Sequence, residues 1–223
     1  MPKEVAVVSA LFCSLALPSS VCLGQTAQER PGEYTIALAQ SGVPVGLVAP
    51  RDVLIGRHAV PHSETMAAGT SISREGLASS LDLFNTAKGG FRARQEGGVV
   101  HVRSLEEPAE VGSALERSTL MEEAVEVPAF GAIYRYVVRA MSGVEPPQGF
   151  VFSGALPGPE CPINRPVRMP EGSLSAIALL DQIVRQVPGL VWVVSYSPEA
   201  PNAGLKVGRM CPDGEFVRTE VYR

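Results

Sequence analysis

The chain has 223 residues, of which 45% are hydrophobic and 19% charged, with a formal net charge of −4 at pH 7. That apolar share supplies a packed core, and 22 Gly with 19 Pro imply many loops without reaching a disordered composition. A weakly acidic balance argues against nucleic acid, whose phosphates need a strong basic field, and the four Asp (52, 82, 181 and 213) are too few for acidic metal loops.

Residues 1–24 read as a secretory signal. Lys3 supplies a thin positive start, and Val5 to Leu17 is an apolar run too short to span a bilayer. Pro18-Ser19-Ser20 breaks the run, and Cys22-Leu23-Gly24 offers small residues before a cut near Gln25. The competing reading is a buried N-terminal helix. Lipoprotein anchoring at Cys22 is disfavoured because Val21 stands where a small residue is required. No later run has the length and apolarity of a transmembrane helix. The expectation is an exported protein, periplasmic or secreted. Cleavage leaves Cys161 and Cys211, an even pair that reads as a disulfide in an oxidising compartment. Closing that loop of about 50 residues is worth about 4 kcal/mol in chain entropy. Two free buried thiols are the alternative. Neither Cys has a second ligand at zinc spacing.

A first α+β module is expected over 25–104. Tyr34 to Gln40 forms a short helix that Ser41-Gly42 stops, and Val43 to Val48 forms a strand, with Pro44 favouring a sheet edge. Residues 50–70 are irregular. Ser73 is the candidate N-cap of the next helix, with Glu75 in its first turn. Leu77, Leu81 and Phe84 recur at i, i+4, i+7 and give it one apolar face. Gly89-Gly90 ends it. A hairpin follows, turned by Gly97-Gly98, because glycine tolerates the positive φ of a two-residue turn. That turn sets Arg94 opposite His101, Ala93 opposite Val102 and Arg92 opposite Arg103. Ala93, Val100 and Val102 then face inward, and Arg92, Arg94, His101 and Arg103 face outward.

Seven Glu against one Arg between Glu106 and Glu126 mark 105–127 as a solvated acidic linker, in part helical. The second module, 128–223, repeats the order. Phe130, Ile133, Tyr134, Val137, Val138 and Met141 form an amphipathic helix stopped at Ser142-Gly143, and Gly149 to Ser153 forms a strand. A Pro-rich insertion carries Cys161. Ser173 caps a helix with Leu174, Ile177, Leu180, Val184 and Val187 as its buried stripe, broken at Pro188-Gly189. Leu190 to Tyr196 is apolar on both faces and predicts a central strand covered on both sides. Residues 197–204 are a loop, and Leu205 to Met210 a return strand. Ile36 and Ile133, like Leu77 and Leu174, are separated by 97 residues, which suggests a duplication. The expected class is therefore α+β, with two small related modules, each carrying two helices on a short mixed or antiparallel sheet.

Val43 to Val48, Thr70-Ser71-Ile72, Leu77 to Phe84 and Gly90 to Arg103 carry a resemblance. In an exported chain this order looks like the short N-terminal modules of secretins and TonB-dependent receptors. Phe91 and Val99-Val100-His101-Val102 take the places of the family's aromatic-led strand and its Val-rich terminal strand. The resemblance covers about the first 70 mature residues, and no barrel or pore-forming region follows them. It implies a protein-interaction module of the envelope and not a channel.

Nucleophile motifs are absent. There is no Gly-x-Ser-x-Gly, and neither Lys88 nor Lys206 lies three residues after a serine. Gly89-Gly90 follows a helix, the wrong context for a phosphate loop. His58 and His62 have helical metal spacing with Glu64 nearby, but Gly56 and Pro61 argue for a loop there. His62 and Glu64 as an acid–base pair would make the chain a small exported hydrolase or metal-dependent enzyme. Arg92, Arg94, His101 and Arg103 form the sharpest candidate site, suited to an envelope protein or another anionic surface. Charges that merely keep a sheet edge from pairing with strangers are the simpler explanation. Trp192, Val194 and Tyr196 share one strand face, which is either core or a platform for a small ligand. No cofactor is expected. The leading function is a non-catalytic extracytoplasmic interaction module.

Overall fold

The computed structural model describes residues 31–53, 74–87, 89–143, 153–154, 164–197, 199–210 and 216–222. It is an α+β fold built on a seven-stranded mixed sheet. The described residues begin with α1 (Pro31–Gln40), followed by β1 (Val45–Pro50), α2 (Arg74–Thr86) and the hairpin β2 (Phe91–Glu96) and β3 (Val99–Ser104). Next come α3 (Ala109–Glu116), β4 (Ser118–Met121), β5 (Val125–Pro128) and a continuous helix α4 over 129–142, whose middle, Ile133–Val138, is wound as a π-helix. The remaining elements are β6 (Ser153–Gly154), β7 (Pro166–Met169), β8 (Gly172–Ser175), α5 (Ala176–Gln186), β9 (Leu190–Ser197), β10 (Ala200–Met210) and β11 (Phe216–Tyr222).

The sheet runs β2-β3-β1-β9-β10-β11-β6. Its centre is parallel, since β1 pairs with β3 on one side and β9 on the other; its flanks are antiparallel. The pairs β4–β8 and β5–β7 form two small separate sheets. One face of the main sheet packs on α1 and α2 through Ile36, Leu38, Leu77, Phe84, Val45, Leu47, Val100 and Val193. The other packs on α3, α4 and α5 through Leu115, Ile133, Val137, Leu180, Ile183, Trp192 and Val194. The double cover explains β9: every residue from Leu190 to Tyr196 is buried, as its two-faced apolar run predicts.

Several expectations need correction. β1 is central, not an edge. Pro44 lies just ahead of it, where its missing N–H costs nothing and its carbonyl accepts from Val100 N–H at 2.9 Å. Residues 105–127 are not a solvated linker but part of the folded body. Val111, Leu115 and Met121 are buried in the core beneath α4 and α5, and the glutamates other than Glu107 occupy the exposed side of the same segment. Nor does the main sheet break between 104 and 128, because β1 joins the hairpin of the first half to β9 of the second. The two hairpins are placed differently: β1 pairs with the second strand of one and the first strand of the other. The N-cap of α5 is Ser175, whose hydroxyl accepts from Ala178 N–H, and not Ser173, which lies in β8. Pairing of β10 begins at Ala200, so most of the expected loop is strand.

Candidate functional site

The β2–β3 hairpin has the expected register, with Arg92 opposite Arg103, Ala93 opposite Val102 and Arg94 opposite His101. Gly97 and Gly98 have φ of 55° and 83°, the paired positive values of a tight turn that L side chains resist. Ala93, Val100 and Val102 enter the core under α1 and α2. The opposite face carries Arg92, Arg94 and Glu96 from β2 and His101 and Arg103 from β3. The helical layer of α3 to α5 covers the centre of the sheet on that side and stops short of β2. A ledge results, walled by Ser104, Leu105, Glu107, Pro108, Ala109 and Gly112, and it encloses a recess of about 440 Å³. All four candidate residues, Arg92, Arg94, His101 and Arg103, line this one cavity, together with Glu96, Leu105 and Glu107.

Their environments differ. Arg92 and Arg94 are exposed, and among the described residues no hydrogen bond or ion pair holds either guanidinium. Arg103 is half-buried and committed. Its Nε donates to Glu107 Oε2 at 2.8 Å and its second nitrogen donates to Glu107 Oε1, a two-pronged pair. The Glu107 carboxylate raises the guanidinium pKa, a rise that partial burial only partly offsets. Arg103 is thus a fixed wall of the recess, and the two β2 arginines are its uncommitted charges.

His101 does not point into solvent, as strand alternation alone suggests. It is 5% exposed, because α5 lies over it. Its Nε2 sits 2.9 Å and 3.0 Å from the two Asp181 oxygens, and Trp192 Nε1 donates to Asp181 Oδ1 at 3.2 Å. The His101 and Trp192 rings approach to 5.6 Å between centroids. His101 Nδ1 lies on the recess side, 3.9 Å from Glu96 Oε2. At the turn, Arg185 Nη1 on α5 donates to Gly97 O at 3.1 Å and ties the helix to the hairpin tip.

No family model, no curated protein and no solved structure matches this chain.

Residues that the sequence did not single out complete the site. Asp181 and Glu96 bracket the imidazole, and Glu107 immobilises Arg103. Asp181 had one sequence signal, a lone carboxylate beside the buried stripe of α5, next to Leu180 and three residues before Val184. Trp192 and Tyr196 are 0% and 1% exposed and belong to the core, so their strand face is not a ligand platform. The Tyr196 hydroxyl is buried without a hydrogen-bond partner; Ser104 lies close but outside bonding geometry. Among the described residues no group of three or more His, Cys, Asp or Glu converges as a metal site, and no helix is long and apolar enough to cross a membrane. The signal segment 1–24 with Cys22, the cluster His58, His62 and Glu64, the cap Ser73 and the pair Cys161 and Cys211 lie outside the described residues.

Proposed function

We propose that this chain is an exported, non-catalytic interaction module that holds an acidic segment of an envelope protein on the outer face of the β2–β3 hairpin. One observation carries the reading. Arg92 and Arg94 stand uncommitted over a recess that also contains His101 and Arg103. A guanidinium presents a planar fork of donors that matches a carboxylate in two-pronged geometry. Two of them on alternate positions of one strand are spaced to meet successive same-side side chains of an extended segment. Leu105, 58% exposed at the rim, adds an apolar contact. Export through residues 1–24, a Cys161–Cys211 disulfide, descent of the two halves from one duplicated unit and kinship with the secretin and TonB-receptor modules belong to the same proposal, on the sequence patterns above.

The test uses a hexaglutamate peptide as a stand-in for the acidic segment. Wild-type protein binds it at low salt and loses it as salt screens the exposed charges. The double variant Arg92→Glu, Arg94→Glu, altered only at exposed side chains, retains its fold and loses binding. Equal binding by the double variant would sink the reading.

A further inference from the structure

Resting on that reading of the recess, we infer that carboxylate binding there takes up a proton at His101, so that capture of the acidic segment is coupled to pH. The Asp181 carboxylate fixes which imidazole nitrogen faces the recess. Both its oxygens face His101 Nε2, at 2.9 Å and 3.0 Å, so Nε2 carries hydrogen in either charge state. Trp192 Nε1–H donates to Oδ1 of the same carboxylate and fixes its position. With Nε2 committed as a donor, the neutral ring presents a lone pair at Nδ1. That nitrogen is on the recess side, with the Glu96 carboxylate already 3.9 Å away.

An incoming carboxylate therefore meets two acceptors on this wall, the Nδ1 lone pair and Glu96. It gains a donor there only when Nδ1 acquires a proton. The resulting imidazolium donates from both nitrogens, to Asp181 on one side and to the ligand or Glu96 on the other. Asp181 acts as a positioning residue, setting which nitrogen faces the recess and stabilising the charge that forms. The charged groups around the ring are Asp181 and Arg185 on α5, Arg92, Arg94 and Glu96 on β2, and Arg103 with its partner Glu107 on the β3 side. β1 contributes only Gly46 at this level and β9 only the neutral Trp192. Arginine opposes the added proton and carboxylate favours it; the ligand's own negative charge tips the balance. By linkage, whatever binding gains from the proton, the proton gains from binding.

The experiment is calorimetric titration of the full chain with N-acetylated hexaglutamate between pH 5.5 and 8.0, a range in which the peptide's carboxylates stay ionised and it carries no titrating amine. It is run in buffers of different ionisation enthalpy, which counts protons taken up by the wild type without any variant. The expected result is net proton uptake, with affinity falling as pH rises, by as much as about tenfold per pH unit. His101→Gln should flatten that profile. Asp181→Asn, which keeps an acceptor for Trp192, should also flatten it. A pH-independent affinity without proton uptake overturns the coupling and leaves the arginine reading standing. A pH profile unchanged in both variants assigns the proton elsewhere and also overturns it. Absence of binding at every pH overturns both. Glutarate binding as tightly as hexaglutamate would reassign the recess to a free dicarboxylate.

Discussion

Gly46 lies directly beneath the Trp192 ring, so close that a β-carbon at position 46 would fall 2.0 Å from the indole carbons. The two residues are register partners on β1 and β9, and Gly46 is also the register partner of His101 on β3. The missing side chain of the central strand lets the indole lean across it, which brings Trp192 to the carboxylate that holds His101. Gly46→Ala should therefore cost about 3 kcal/mol through overpacking. It should also disturb the single tryptophan's fluorescence, a signal with one source in this chain. Urea unfolding monitored by that fluorescence checks both, and an unshifted midpoint with unchanged emission would contradict the contact.

A second prediction concerns the exposed border of the sheet. β2 is an edge strand, and Ala93 directs its backbone amide and carbonyl outward. Asn85 on α2 closes this position: its Nδ2 donates to Ala93 O at 2.8 Å and its Oδ1 accepts from Ala93 N–H at 2.9 Å. The carboxamide occupies the place of a neighbouring strand. Asn85→Ala should lose about 1–2 kcal/mol and open the edge to pairing with a second copy. Sedimentation equilibrium at rising concentration should then show dimer in the variant and not in the wild type.

Two tyrosines predict the alkaline limit of stability. Burial raises the phenol pKa of Tyr34 and of Tyr196 above the ordinary 10.0, outweighing the Tyr34–Ser80 hydrogen bond and the nearby Ser104. Below pH 10 both phenols keep their protons, folded or unfolded. As pH rises past that value the unfolded chain releases them first, and stability falls until the raised folded values are reached. Urea midpoints should decline above pH 10, and Tyr34→Phe with Tyr196→Phe should make the decline shallower. Tyr196→Phe alone should be neutral or slightly stabilising near pH 7, because it removes a buried hydroxyl that has no partner.

The proposed Cys161–Cys211 bridge has a direct chemical check. Thiol titration of the denatured protein, produced in an oxidising compartment, should find no free thiol from this pair, and reduction should lower the unfolding free energy by about 4 kcal/mol, the value for a loop of this length. Two titratable thiols in the unreduced protein would refute the bridge.

What could be read from the residues follows from how local the controlling physics is. The hairpin register was legible because Gly97-Gly98 fixes it within the turn itself. The burial of β9 was legible because apolar residues on both faces of Leu190 to Tyr196, interrupted only by Ser195, leave no wet face. The surroundings of His101 were not. Alternation places it beside Arg92 and Arg94 on one face, and only the reach of α5 across the sheet separates a covered histidine from two exposed arginines. The acidic stretch misled for the mirror reason. Glutamates on the outer side of α3 and its flanks dominate the composition, while Val111, Leu115 and Met121 do the packing at helical and strand spacing. Gly46 carries no local signal at all, since its role is set by a ring 146 positions along the chain.

The central claim is that the recess over β2 and β3 receives acidic side chains. Backbone amide shifts recorded during titration with hexaglutamate at low salt test it most directly. The account predicts changes concentrated at 92–96, 101–107 and the start of α3, abolished in the Arg92→Glu, Arg94→Glu variant. Changes centred elsewhere on the fold, or the same changes in the double variant, would contradict it.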